Sequence, residues 1–335
     1  MAKKGNGNEM AFTIETIRKV TDEPAITHCS SMVETASGDL VCVWYECPYE
    51  TSSETVIKIA RKPNGSESWG TAQVLFNFHG MPVGNPVLWM MDDSEIHIVF
   101  SVLLSESWTA SMLFYASSRD DARTWSAPTL FLPKVGFMAK TRPVTTDRGQ
   151  ILFPVYHEGD FCPYVMIIDD LSRPLASRLI AETMARGKAI QPTLIRLASS
   201  TYAMLSRTNQ GRIWKSISYN DGLSWSICVP TRLPNPNSAL DLGRLKSGEI
   251  ILAYNPSASD RHRLTIALSK DNMQTWVAMQ DIVQGDGEYA YPCLLVDKAD
   301  NIHVSFTENR YIIQHAIFDR EWVTRGHLSV PFATE

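Results

Sequence analysis

The stretch SYNDGLSW at residues 218–225 decides the fold, because the chain repeats it with small changes at SSRDDARTW (117–125) and SKDNMQTW (269–276). An Asn-Asp-Gly turn with a hydroxyl residue before it and Ser-Trp after it pins a tight hairpin at one end and drives a large aromatic into a core at the other. A weaker copy, RKPNGSESW, ends at Trp69. Between Trp69, Trp125, Trp225 and Trp276 the intervals are 56, 100 and 51 residues, which predicts a repeating unit of about fifty residues that has lost its marker near residue 175. A last unit is expected to end at Trp322 in FDREW.

A second pattern runs at the same period but out of phase. It consists of an apolar run, a short polar turn and another apolar run, as in SSMVETASGDLVCVWY and YPCLLVDKADNIHVSF, with turns near Gly38, Ser94, Gly149, Ser200, Gly248 and Asp300. Runs this short and this rich in Val, Ile, Leu, Tyr and Phe read as β-hairpins rather than helices. Each unit adds a third strand before the Asp/Asn-Gly-like turn, as in SMLFYASSRD, and a fourth around the Ser/Thr-Trp. Six four-stranded units predict an all-β chain folded over residues 1–335 as a single six-bladed β-propeller of antiparallel blades; a seventh finds no room in the spacing. The early segment AFTIETIRKV is expected to complete the last blade and fasten the ring.

The formal net charge is −5, from 31 Lys plus Arg against 36 Asp plus Glu, with no basic run, which argues against nucleic acid as a partner. An acidic small ligand stays compatible, since a few clustered arginines make a positive pocket in a negative protein. No segment approaches eighteen apolar residues, so no membrane span is expected. The first residues, MAKKGNGNEMAFTIET, carry no apolar segment that would serve as a secretory signal, so the expected location is the cytoplasm unless a leader has been removed. Cys29, Cys42, Cys47, Cys162, Cys228 and Cys293 are scattered, several inside apolar strands, and read as buried thiols. No Cys/His metal spacing is present and no cofactor is implied.

The SxDxGxTW-like copies resemble the Asp-box repeats of the sialidase (neuraminidase) superfamily over essentially the whole chain. The resemblance implies a propeller whose Ser, Asp, Thr and Trp close the outer hairpin of each blade, and a ligand site near the central channel. The motif speaks for fold more than activity, because such propellers include hydrolases, lyases and glycan-binding proteins. At the start of each inner strand the sequence reads ITHCSS, GNPVLW, KTRPVT, IQPTLI, PNSALD and EYAYPC, a ring of polar groups formed by His28, Asn85, Arg142, Gln191, Asn237 and Tyr291.

The family pattern places a carboxylate-binding arginine at the first of these positions, a glutamate at the fourth and a tyrosine nucleophile at the last. This chain has His28, Gln191 and Tyr291 there. Histidine cannot make a planar bidentate bridge to a carboxylate, and glutamine cannot take a proton from a phenol. Arg142, Arg207 and Arg310 are candidates to rebuild an anion site, the bland reading of Arg207 and Arg310 being rim salt bridges. Glu50 and Glu54, in the loop where the resembling fold presents its general acid, are candidate proton donors or plain surface. Lys140, His157, Glu158 and Glu288 are further candidates.

Three functions follow as expectations. The first is an exo-acting, sialidase-like glycosidase on a terminal acidic sugar, with an acidic mono- or oligosaccharide as partner. The second is a lyase that cleaves beside a uronate by β-elimination, in which Arg and Gln neutralise the carboxylate and His or Tyr moves protons. The third is a non-catalytic glycan-binding propeller that needs only aromatics such as Trp89, Trp108 and Tyr289 around a cleft.

Overall fold

The computed structural model describes residues 12–21, 25–91, 95–181 and 185–326. The strands form six antiparallel sheets in chain order, each a blade. Blade one, for example, runs Ile26–Glu34, Leu40–Cys47, Val56–Lys62 and Gln73–Phe76 from the inside outward. Blade six takes Tyr289–Val296, Ile302–Glu308 and Ile312–Phe318 from the end of the chain and its outermost strand, Thr13–Lys19, from the beginning. That strand is the predicted fastening. It pairs along Ile312–Phe318, so the two chain ends close the ring with backbone hydrogen bonds.

Strands that read as apolar runs in sequence are buried on both faces here. Every residue of Ile96–Leu103 is buried, because each sheet has a neighbouring blade on either side. The core is accordingly a set of apolar seams, one between each adjacent pair of blades around the ring. At the seam between blades two and three, Trp89, Phe131 and Phe153 meet at ring separations of 5.2 and 5.6 Å. All six cysteines are buried.

The repeated turns hold together through their side chains. Ser118 Oγ donates to Asp120 Oδ1 at 2.8 Å, and the same carboxylate accepts from Thr124 N and Thr124 Oγ1 at 2.8 and 2.7 Å. In SYNDGLSW the amide of Asn220 does the same work, with Oδ1 accepting from Ser224 N at 2.9 Å and Nδ2 donating to Ser224 Oγ at 2.9 Å. The turn needs left-handed backbone, and Gly222 supplies it at φ 78°, where Ala122 and Met273 hold φ 62° and 64°. Blade three has no such turn: its third and fourth strands, Cys162–Ile168 and Arg178–Ala181, are joined through a short 3-10 helix at Pro174–Ala176, where the marker is missing from the sequence. Trp322 does not close a turn of this kind. It sits in the short helix Arg320–Thr324 and stacks on Phe12 at 4.5 Å beside the fastening strand. The turn expected at Ser94 lies outside the described residues.

The seam that closes the ring carries a buried polar chain. Trp69 Nε1 donates to His315 Nδ1 at 3.3 Å, which leaves the His315 proton on Nε2, facing His303 Nδ1 at 2.9 Å; His303 Nε2 in turn donates to Asp297 Oδ2 at 3.2 Å. Burial, then the neighbouring His303 and Lys62, push the His315 imidazole well below its ordinary value. His28 is held low in the same way, by burial first and then by Arg310, Arg261, Lys140 and Arg207. The unfolded chain protonates both imidazoles below about pH 6.5, and the native state does not. Stability is therefore present above that pH and is lost as pH falls below it, by up to about 1.4 kcal/mol per pH unit for each group. Urea midpoints measured at pH 7.5, 6.5 and 5.5 should fall across the last interval; a constant midpoint would show that these histidines are not buried neutral.

Candidate active site

The inner strands enter the channel through a shared backbone device. One extra residue is inserted between the register pairs at Gly84/Val87, Ile190/Thr193 and Ala290/Cys293, and the inserted residues Asn85, Gln191 and Tyr291 take left-handed φ of 45°, 50° and 55°. Asn237 adopts φ 55° at the matching place in blade five. Such a bulge re-aims a side chain, here toward the axis, at a cost of about 1–3 kcal/mol that clusters at functional sites. In blade one the bulge falls between His28 and Ser31, and the left-handed residue is Cys29 at φ 58°. The ring position expected for His28 is thus held by Cys29. In blade three the inner strand is split into Phe137–Ala139 and Val144–Thr145, and Arg142 lies in the gap.

Tyr291, Gln191, Asn85 and Arg207 nevertheless meet in one cleft, with Tyr156, Glu158, Glu50, Tyr45 and Trp108 around them. The cleft is narrow, about 60 Å³, and opens to solvent. Gln191 organises the floor. Its Oε1 accepts from Arg207 Nη1 at 2.9 Å, which turns its Nε2 toward Tyr156 Oη at 3.2 Å and Tyr291 Oη at 3.4 Å. Tyr291 Oη also accepts from Arg207 Nη1 at 3.2 Å, and Asn85 Nδ2 donates to Tyr156 Oη at 3.1 Å. Both neighbours of the Tyr291 oxygen are therefore N–H donors, and its own hydrogen is left free to face a ligand. Burial, followed by Glu158 and Tyr291, raises the Tyr156 phenol well above its ordinary value, so Tyr156 is a neutral hydroxyl.

Three guanidinium groups form an arc beside Tyr291. Arg207 Nε donates to Asn237 Oδ1 and Arg261 Nη2 to Asn237 O, each at 2.9 Å. Arg261 and Arg310 then share Glu288 at 2.8 and 3.6 Å, and Arg310 also pairs with Glu50. Burial first, and then these three arginines and Lys140, hold the His28 imidazole well below its ordinary value, its ring lying 4.3 Å from that of Tyr291. His28 itself is buried behind Tyr291, edge-on to Tyr45, and does not line the cleft.

The other expected residues take different places. Arg142 donates to Leu294 O at 2.5 Å, bracing blade three against blade six across the axis. Lys140 donates to Pro292 O at 3.3 Å and lies 5.8 Å from the Tyr291 ring, behind the cleft. His157 Nδ1 accepts from Asp160 N at 2.9 Å and its ring meets Phe137, so it ends its strand as a turn anchor. Glu54 is not among the cleft residues, whereas Glu50 is. Trp89 and Tyr289 are buried in seams, leaving Trp108 as the cleft member of the three aromatics. Arg261 and Tyr156 were absent from the sequence candidates. Arg261 follows the second strand of its blade, as Arg207 and Arg310 end or follow theirs, and that shared position was its available signal. Among the described residues no group of three or more His, Cys, Asp or Glu side chains is placed to hold a metal ion.

Asp-box-type turns on blades two, four and five of a six-bladed ring, and a cleft lined by Tyr291 and Arg207, define a sialidase-like propeller. The chain belongs to the BNR repeat-like domain family, which matches residues 38–304. It is 21% identical to a sialidase of Bacteroides fragilis (strain YCH46) across 88% of this chain and 62% of that one, so it spans less than two thirds of that relative's length. Among solved structures, the Hadza microbial sialidase Hz136 superposes with a TM-score of 0.76 at 17% identity, covering 89% of this chain and 66% of that one. The intramolecular trans-sialidase from Ruminococcus gnavus superposes with a TM-score of 0.76 at 12% identity, covering 96% of this chain and 99% of that one. At these identities the superpositions establish the shared fold.

Proposed function

We propose that this protein is a glycoside hydrolase of sialidase type that removes a terminal acidic sugar from a glycan. The observation that carries the reading is the arc of Arg207, Arg261 and Arg310 beside Tyr291 in a protein of net charge −5. Planar guanidinium groups clamp a carboxylate with paired hydrogen bonds, and the anionic end of the sugar would dock there. The anomeric carbon, one bond from that carboxylate in a 2-keto acid sugar, is then presented to the Tyr291 hydroxyl. The similarity to proteins named sialidase and trans-sialidase supports the same substrate class.

The test is release of 4-methylumbelliferone from its α-glycosides of nine-carbon 2-keto acid sugars, with the neutral galactoside as control. Release from the acidic glycosides and not from the neutral one is expected. No release from any acidic glycoside would reject the hydrolase.

One observation favours a second reading, β-elimination beside a uronate. Gln191 presents an N–H to Tyr291 where hydrolysis through a tyrosine nucleophile wants a base, and His28 stands neutral beside the same ring. A rise in ultraviolet absorbance from an unsaturated uronate on acidic oligosaccharides, without fluorophore release, would select this chemistry instead.

A further inference from the structure

The cleft holds two carboxyl groups in unlike surroundings. Glu50 is ion-paired with Arg310, and Glu288, at the edge of the arc, is held by Arg261 and Arg310. Glu158 lines the same cleft, yet among the described residues its side chain makes no hydrogen bond or ion pair. Its backbone is fixed: Glu158 N donates to Gly136 O at 2.8 Å, and Glu158 O accepts from Phe161 N at 3.2 Å, so the carboxyl stands on a rigid turn. It projects from blade three, across the axis from Tyr291 on blade six, whereas the arginine arc spans blades four to six. In a 2-keto acid sugar the carboxylate and the leaving oxygen share the anomeric carbon, so the leaving oxygen of a bound substrate would depart inside the cleft that Glu158 lines.

We propose that Glu158 is the general acid of this site, the group that protonates the departing glycosidic oxygen. The assignment rests on the hydrolase reading, and it places the acid on blade three rather than in the blade-one loop, where Glu50 and Glu54 were candidates. Desolvation without a partner favours the neutral form of a carboxyl, the form that can give a proton. Burial raises the Glu158 carboxyl above its ordinary value, against the opposing pull of Arg207 and His157. In the reaction, Glu158 gives its proton to the glycosidic oxygen as the C–O bond breaks and the bonding electron pair moves onto that oxygen, releasing the aglycone as an alcohol. The anomeric carbon takes the oxygen of a water, one of whose protons returns to the Glu158 carboxylate.

The experiment compares Glu158→Gln and Glu50→Gln with the wild-type chain on two substrates of one acidic sugar. One carries a 4-nitrophenyl group, which leaves without protonation, and the other a galactose-terminated aglycone, which does not. For Glu158→Gln the loss in kcat on the sugar aglycone should be on the order of 10²- to 10⁴-fold, with less than about tenfold loss on the nitrophenyl substrate. The basic limb of the kcat/KM pH profile should also disappear, because the active form is the protonated one. Glu50→Gln should alter KM on both substrates alike. Equal losses for Glu158→Gln on the two substrates, with unfolding temperature unchanged, would overturn the assignment while leaving the hydrolase intact, and a leaving-group-dependent loss in Glu50→Gln would return the role to Glu50. A wild-type chain inactive on both substrates would reject the hydrolase reading, and the acid with it.

Discussion

Tyr291→Phe is expected to lower turnover of an acidic-sugar glycoside on the order of 10³-fold or more while leaving thermal unfolding within a few degrees. The substitution removes one oxygen and little else. The ring keeps its contact with His28, whose centroid lies 4.3 Å away, and its backbone keeps the bulge that places it in the cleft. Arg207 loses a contact of 3.2 Å but retains Gln191 and Asn237, each at 2.9 Å, and Gln191 Nε2 still reaches Tyr156. No buried group is orphaned, so the structural cost is that of one ordinary hydrogen bond, about 0.5–1.5 kcal/mol. Wild-type turnover in a folded Tyr291→Phe variant would remove Tyr291 from the chemistry, whether as nucleophile or as proton donor.

The fold was legible because propeller blades repeat and each must bury both faces. The turn signature and the apolar hairpins carry the same period independently, so the lost marker in blade three did not hide that blade. Trp322 misled for a local reason. Asp319 caps a helix, accepting from Trp322 N at 2.7 Å, where the strand-turn pattern anticipated another outer hairpin. At the site, residues inserted by a bulge were readable where a polar or aromatic residue marks them, as with Asn85, Gln191 and Tyr291, and so was the left-handed Asn237. Blade one places a cysteine at that step, and a one-residue slip assigned the position to His28. Contacts across the channel had no sequence trace: nothing in the chain tells that Arg142 meets Leu294, or that Tyr156 shares the amide of Gln191 with Tyr291.

Arg207→Lys separates the anion clamp from the fold, and its expected result is a fall of about 10- to 10²-fold in kcat/KM for an acidic substrate, carried mainly by KM. Arg207 is buried, and its guanidinium spans Asn237, Gln191 and Tyr291 at once. A lysine ammonium keeps the charge but cannot reproduce that planar fork. Two charge-assisted hydrogen bonds to a substrate carboxylate, at about 1.5–3 kcal/mol each, fade to one, and each 1.4 kcal/mol is about tenfold in affinity. The variant also leaves Gln191 Oε1 or Asn237 Oδ1 without its donor, costing about 1–3 kcal/mol of stability, which a urea midpoint would register. Freed of Arg207, the Gln191 amide can turn over and present its oxygen to Tyr291, so kcat should fall less than KM rises. Arg310→Lys is the contrast: that side chain is partly exposed and already neutralised by Glu50 and Glu288, so its replacement should cost less than about tenfold. Equal, small effects at both positions would show that the arc is a structural ion-pair network and that the carboxylate binds elsewhere.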